Sequence, residues 1–350
     1  MNTKNNGILK KMIESKMIMK KTKKFKISII FLFIIGILLI LLYGPYSGFR
    51  NFLITSSMTT KNHQHIAKFF YSERVINEVM SNHFVEERQE ISDPALITIG
   101  KRDKEARNRY EEKILNYDPD ALYQIIEVRG LGFRGHLIAI YDPSKVHLVY
   151  SKYLGEEGQT AKEVALKTNS SVVMNASGFF DPYWRSNGST PHGTVISRGE
   201  VIVENEPAGV GGGFIGFNND DKLILGNMSL DEALEVGYRD AIEFGPFLII
   251  NGQSSTVHGN GGWGIASRAA IGQRKDGIVL FLVIDGRLTT SLGADMNDLI
   301  NIFEKFGAVN AANLDGGSST SLIADNQIIN TPTGGGSNGL RKIPTFWTVN

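Results

Sequence analysis

Apolar residues along this chain fall into three successive patterns. Residues 27–43 are apolar almost without interruption, carry no charge and show no polar face. The run approaches the shortest helix that crosses a hydrocarbon core of about 30 Å. Residues 66–90 place Ile66, Phe69, Phe70, Val75, Ile76, Val79, Met80 and Phe84 at near-helical spacing, which predicts an amphipathic helix. From about residue 120 the pattern changes to short apolar runs broken by turns, the signature of strands.

In that last region, residues 123–129, 137–141 and 146–150 read as strands, with a turn at Asp142-Pro143-Ser144-Lys145. Residues 160–168 predict a helix with Thr160 near its N-cap. A strand over 171–174 runs into Asn175-Ala176-Ser177-Gly178-Phe179-Phe180-Asp181, and Arg198-Gly199-Glu200 predicts a hairpin. The glycines at 211–213 open a strand; a nucleotide loop would need other spacing and a following helix. Residues 241–251 are an apolar run holding Glu243 and Gly245-Pro246. Arg268 opens one strand, and residues 278–284 form another that ends in Asp285-Gly286-Arg287. Residues 295–306 are amphipathic and close on Gly307, then lead into the strand ending at Asn313-Leu314-Asp315-Gly316-Gly317-Ser318-Ser319. The predicted fold class is α+β: a mixed sheet with packed helices and glycine-rich strand-end loops forming one cleft, preceded by a single N-terminal transmembrane helix.

Charge divides the chain further. Residues 1–26 hold nine Lys and one Glu, leaving 28 Lys+Arg against 35 Asp+Glu after them. Lys next to an apolar run marks the cytoplasmic side, so the chain after Tyr43 is expected outside the membrane. No small-residue cleavage site follows the run, which argues for an anchor over a removed signal peptide. The mildly acidic body argues against nucleic acid as a partner. Absence of Cys removes disulfides, thiolate catalysis and Cys-ligated zinc. Charges crowd residues 101–113, among them Lys101, Arg102, Asp103 and Lys104, as on a solvated stalk. The organisation expected is a basic segment 1–26, an anchor 27–43, a helical spacer 44–118 and a main domain 119–350.

Several strands of that domain end in a polar residue beside glycine. An isolated Asp-Gly is an ordinary turn. Repeated in three strands, with Arg268 opening a fourth and Glu243 inside a fifth, the pattern suggests one functional cleft, because strand-edge loops carry sites disproportionately. Together with Pro191-His192-Gly193-Thr194, Gly245-Pro246-Phe247-Leu248-Ile249-Ile250-Asn251-Gly252 and Arg268-Ala269-Ala270-Ile271-Gly272, these motifs stand in an order that resembles the phosphodiester glycosidase family, the domain type of the mammalian uncovering enzyme. The resemblance covers about 120–350. Ser177 departs from it, standing where a second glycine is common.

The resemblance implies hydrolysis of a sugar-1-phosphodiester at the anomeric C1–O bond; bacterial members are often associated with exopolysaccharide and the cell envelope. The residues suit that chemistry. A carboxylate stabilises or attacks an oxocarbenium-like centre, and Asp315 is the first candidate, with Asp181, Asp285 or Glu243 as the second. His192 is either an acid/base or a strand-edge histidine. Phosphate leaves as a weak base and needs charge neutralisation, which a bidentate Arg268 would supply. Asn175 and Asn313 would hold sugar hydroxyls, beside Gly316, Gly317, Ser318 and Ser319. A divalent cation on Asp181, Asp285 and Asp315 suits a carboxylate-rich cleft but is not demanded by the spacing. Two alternatives stand beside this reading. One is a non-catalytic module that binds sugar-phosphate polymers, with Trp184 and Trp263 stacking on sugars. The other is a metal-dependent phosphodiesterase that cuts P–O.

Overall fold

The computed structural model describes residues 3–59, 63–101, 105–182, 186–335 and 338–350. The chain opens with helix α1 (Thr3–Tyr43), followed by three short helices: α2 (Ser47–Met58), α3 (Gln64–Phe70) and α4 (Glu73–Ser81). Strand β1 (Phe84–Glu86) and helix α5 (Arg109–Leu115) lead to β2 (Tyr123–Gly130), β3 (Phe133–Ile140), β4 (Val146–Tyr150), α6 (Ala161–Thr168) and β5 (Val172–Asn175). Then come β6 (Val195–Ser197), β7 (Glu200–Val203), β8 (Gly213–Asn218), β9 (Leu223–Gly226), α7 (Leu230–Val236), β10 (Tyr238–Phe244), β11 (Phe247–Ile250), β12 (Gln253–Ser254) and β13 (Thr256–His258). The chain closes with β14 (Arg268–Arg274), β15 (Val279–Ile284), α8 (Met296–Lys305), β16 (Ala308–Leu314), β17 (Leu322–Ala324), β18 (Gln327–Ile328) and β19 (Thr345–Val349).

Local chemistry explains many of these boundaries. The Thr160 hydroxyl accepts from the Glu163 N–H while the Glu163 carboxylate accepts from the Thr160 N–H, a capping box that starts α6. The β6–β7 hairpin turns through Arg198 and Gly199, both with positive φ, and pairs Ser197 with Glu200. One apolar helix does not continue where its pattern suggests. Tyr71 and Ser72 are extended and split residues 66–90 into α3 and α4. Residues 84–86 then leave the helix because they pair with β13.

Three larger sheets make the body, in the orders β12-β11-β16-β14-β15-β3-β2, β7-β6-β10-β8-β9 and β18-β17-β5-β19-β4. Pairing is antiparallel throughout the described residues, where the sequence pattern suggests a mixed sheet. Side chains from all three sheets share one core that includes Phe217, Ile242, Phe281, Leu314 and Trp347. On its other face the seven-stranded sheet packs against α8 and α5 through Phe303, Phe306 and Ile114. Strands β14 and β15 are therefore buried along their whole length; β15 reads as an unbroken apolar run for that reason, while β14 also buries the polar Arg268, Gln273 and Arg274. The result is α+β, with one candidate apolar helix at its N-terminal end.

The segment expected as the far half of a spacer is bonded into this body. Ser92 exchanges hydrogen bonds with Leu225, and the Thr98 N–H donates to the Lys275 carbonyl. Glu111 is fully buried, 3.6 Å from the equally buried Arg274. Charge density along 105–113 conceals that one inward carboxylate. Arg102, Asp103 and Lys104 lie outside the described residues.

Candidate active site

Strand register gathers the site. In the seven-stranded sheet β14 lies between β15 and β16 and runs antiparallel to both. Arg268, its first residue, pairs with Ile284, and Ala269 pairs with Leu314. The start of β14 and the ends of β15 and β16 therefore meet at one end of the sheet, bringing Arg268, Asp285 and Asp315 to the same edge. Strand β5 delivers Asn175 there from the neighbouring sheet, since its amide donates to the Asp315 carbonyl.

A cavity of about 1000 Å³ opens at this edge. Among the residues named from sequence, Asp181, His192, Arg268, Asp315, Gly316, Gly317, Ser318 and Ser319 line it. Burial raises the Asp315 carboxyl from its ordinary 3.8 to about 6. The Ser319 hydroxyl, the Arg341 guanidinium and the Gly316 N–H pull against that rise, while nearby Asp181 adds to it. Asp181 accepts from Arg341 at 2.5 Å and from the Ser186 N–H at 3.0 Å. Glycine is needed at 316, where a Cβ would fall 2.8 Å from the Ser267 carbonyl oxygen. His192 lies edge-on to Phe180.

Other candidates are spent on the framework. Asp285 is buried, accepts from the Thr331 N–H at 2.7 Å and pairs with Arg134 at 3.4 Å. It does not line the cavity, so Asp181, Asp285 and Asp315 do not form one ligand set. Among the described residues no three His, Asp or Glu side chains are grouped as metal ligands. Glu243 accepts from the Thr194 N–H at 2.6 Å and fastens β10 to the loop before β6. Asn175 bridges Asp315 and Ser321, and Asn313 donates to the Gly245 carbonyl at 2.9 Å. Both amides are fully buried and hold backbone that shapes the cavity. Arg268 donates to the carbonyls of Trp263, Gly264 and Ala294, and burial pushes its pKa down to about 10. That arrangement holds the glycine loop around Trp263 against the cavity.

Two cations carry no role in the sequence reading. Arg341 follows the glycine loop of the tail, where no periodic pattern flags it. It touches Asp181 and Ser318 and lies 4.7 Å from the Phe179 ring centroid. Arg287 closes the Asp-Gly-Arg turn with a φ of 60° and lines the same cavity. A Cβ on Gly317 would lie 3.4 Å from its guanidinium. Positive φ at a non-glycine residue is a signal visible only in the fold. Trp263 lines the cavity as well, whereas Trp184 lies outside the described residues. The assembled chemistry is one carboxyl poised near neutrality, a second carboxylate paired with arginine, a further guanidinium and an indole platform.

A family profile described as phosphodiester glycosidase matches residues 168–350. The SPbeta prophage-derived uncharacterized protein YomE of Bacillus subtilis is 30% identical over 204 residues, 56% of this chain and 31% of that protein. The N-acetylglucosamine-1-phosphodiester alpha-N-acetylglucosaminidase of Bos taurus is 25% identical over 191 residues, 50% of this chain and 35% of that protein. The chain thus spans about a third of the length of these curated relatives. The catalytic domain of the zebrafish enzyme of the same name, auto-inhibited by its pro-peptide, superposes with a TM-score of 0.53 at 19% identity. That match covers 67% of this chain and 85% of the zebrafish chain and is a likeness of fold.

Proposed function

We propose, since the chain belongs to the phosphodiester glycosidase family, that it hydrolyses a sugar-1-phosphodiester at the anomeric C1–O bond. The observation that carries this reading is Asp315, its carboxyl raised to about 6, facing the same cavity as Arg341 and Arg287. The Asp315 carboxylate attacks or stabilises C1 as the C1–O bond breaks. Water supplies the new oxygen at C1, and the phosphate departs as a monoester. Arg341 and Arg287 neutralise the departing phosphate; Arg268 serves by holding the Trp263 loop. Asp181, paired with Arg341, is the second carboxylate, and Trp263 is the surface on which the sugar stacks.

The helix supports a further part of this proposal. The stretch Phe25–Tyr43 is long and apolar enough to cross a membrane and is 6% buried. With Lys residues before it, the anchor would hold the hydrolase on the extracytoplasmic face, acting on envelope or exopolysaccharide glycans.

The test is turnover by the full chain of a panel of sugar-1-phosphodiesters, with and without chelator, followed by NMR. Free reducing sugar with a phosphomonoester is the expected product, and the first anomer formed reports the stereochemistry. Sugar-1-phosphate would move the cut to P–O. Binding without turnover would favour the sugar-phosphate binding module, the reading that Trp263 on the cavity wall keeps in view.

A further inference from the structure

The helices between the apolar segment and the main domain form a small unit with a distinct surface. Its interior packs Leu42, Ile54, Ala67, Tyr71, Ile76 and Val79. Its outside carries aromatic rings. Tyr46, which caps α2, and Phe49 and Phe52 within it recur three residues apart; Tyr46 is 75% exposed and Phe49 and Phe52 about a third exposed. Phe69 on α3 is 81% exposed. Residues 44–72 hold Arg50, Lys61 and Lys68 and no carboxylate.

Two hydrogen bonds tie this unit to the end of α1. The Tyr71 hydroxyl donates to the Leu42 carbonyl and the Tyr43 hydroxyl to the Phe70 carbonyl, each at 3.1 Å. Only three residues separate α1 from α2. At its far end the unit is bonded to the main domain. Asn260 donates to the Thr55 hydroxyl at 2.6 Å, and the Ile265 N–H to the Ser56 hydroxyl at 3.3 Å. Gly264 approaches so closely that a Cβ there would lie 2.7 Å from the Ser56 Cα. Thr59, just past the end of α2, lines the catalytic cavity.

We propose that α2 and α3 seat the enzyme in the outer bilayer interface, so that its substrates are sugar-1-phosphodiesters whose second alcohol is itself embedded in the membrane. This rests on the anchor and hydrolase readings above. Aromatic rings favour the headgroup level, and a cationic, carboxylate-free flank suits lipid phosphates. Helix α2 has 12 residues, a length of roughly 18 Å. Thr59, on the cavity wall, follows the C-terminal end of that helix, and three residues join its other end to the apolar span. Cleavage at C1–O would leave the phosphate on the lipid alcohol and release the sugar to water.

The chain has no cysteine, so single sites can be labelled with an environment-sensitive fluorophore. Full-length Ile34→Cys, Tyr46→Cys, Phe69→Cys and Glu200→Cys would be reconstituted in phosphatidylcholine vesicles containing a spin-labelled lipid. Quenching at positions 34, 46 and 69 with none at 200 is the expected result. Quenching at 34 alone overturns the seating and leaves the anchor standing; no quenching at 34 overturns both. Turnover is then compared on an N-acetylglucosamine-1-phosphate ester of hexadecanol in the vesicle and of methanol in solution. Tyr46→Ser with Phe69→Ser should slow the hexadecyl ester about tenfold, equal to about 1.4 kcal/mol, and leave the methyl ester unchanged. A hexadecyl ester that is inert, or indifferent to the variant, overturns the membrane-linked substrate. Both esters inert together with quenching at 46 and 69 strikes the hydrolase reading and the substrate with it, but not the seating.

Discussion

Burial lifts the Asp315 carboxyl from 3.8 to about 6, so between those values the folded chain holds a proton that the unfolded chain has released. The stabilisation linked to this group is full below the unfolded value and is lost as pH rises through about 6. At neutral pH an ionised Asp315 is a cost to the fold. Asp315→Asn should therefore abolish turnover yet raise stability at pH 7 by roughly 3 kcal/mol, measured as a higher melting temperature that converges with wild type near pH 3. Activity carried by the ionised form should rise through pH 6. Replacing Arg341 with Ala removes a positive charge from beside both carboxylates. It should cost roughly a hundredfold in kcat/KM and displace the acid limb of the pH profile upward, a shift that loss of packing alone would not produce. The sequence marks Asp315 because an apolar run stops there at two glycines. It does not show that Asn175 and Asn313 are buried against backbone, because a buried amide that holds backbone and one that holds sugar look identical in a string of letters.

Elements tell a similar story through their partners. Strand β1 pairs with β13 across almost half of the chain. Glu87, just beyond it, accepts from the N–H groups of Gly212 and Phe247. Farther along, Arg274 sits between Glu111 and Asp276 and donates to the Phe306 carbonyl. Glu111→Ala would leave part of that buried cation uncompensated, at a cost of about 3 kcal/mol, read from the urea midpoint. A fragment starting at residue 119 lacks β1, Glu87, Ser92 and α5 and should be insoluble or molten, whereas one starting at 82 should unfold cooperatively. The periodicity of β15 and α8 is legible because each is long and presents one consistent face. The bonding of residues 84–115 is not, since it depends on single inward residues spaced irregularly among charges.

At the scale of the molecule, one short helical unit links the apolar segment to the cavity. If α1 is an anchor, carbonate washing should leave the full chain in the membrane fraction. The broad architecture was open to sequence reasoning because the change from continuous to alternating apolar runs reports burial directly. Contacts between the helical unit and the Trp263 loop were not, because Thr55, Ser56 and Asn260 are small polar residues typical of any surface.

Strand β19 occupies an interior place in its sheet, hydrogen-bonded to β4 on one side and β5 on the other. During synthesis those two neighbours emerge about 170 to 200 residues before the strand that joins them. Nothing local can stand in for it, so this sheet closes only after residue 349 has left the ribosome. Until then β4 and β5 present open edges to whatever surrounds the nascent chain. A chain assembled in that order depends on being held apart, by chaperones or by an export channel, until its last strand arrives.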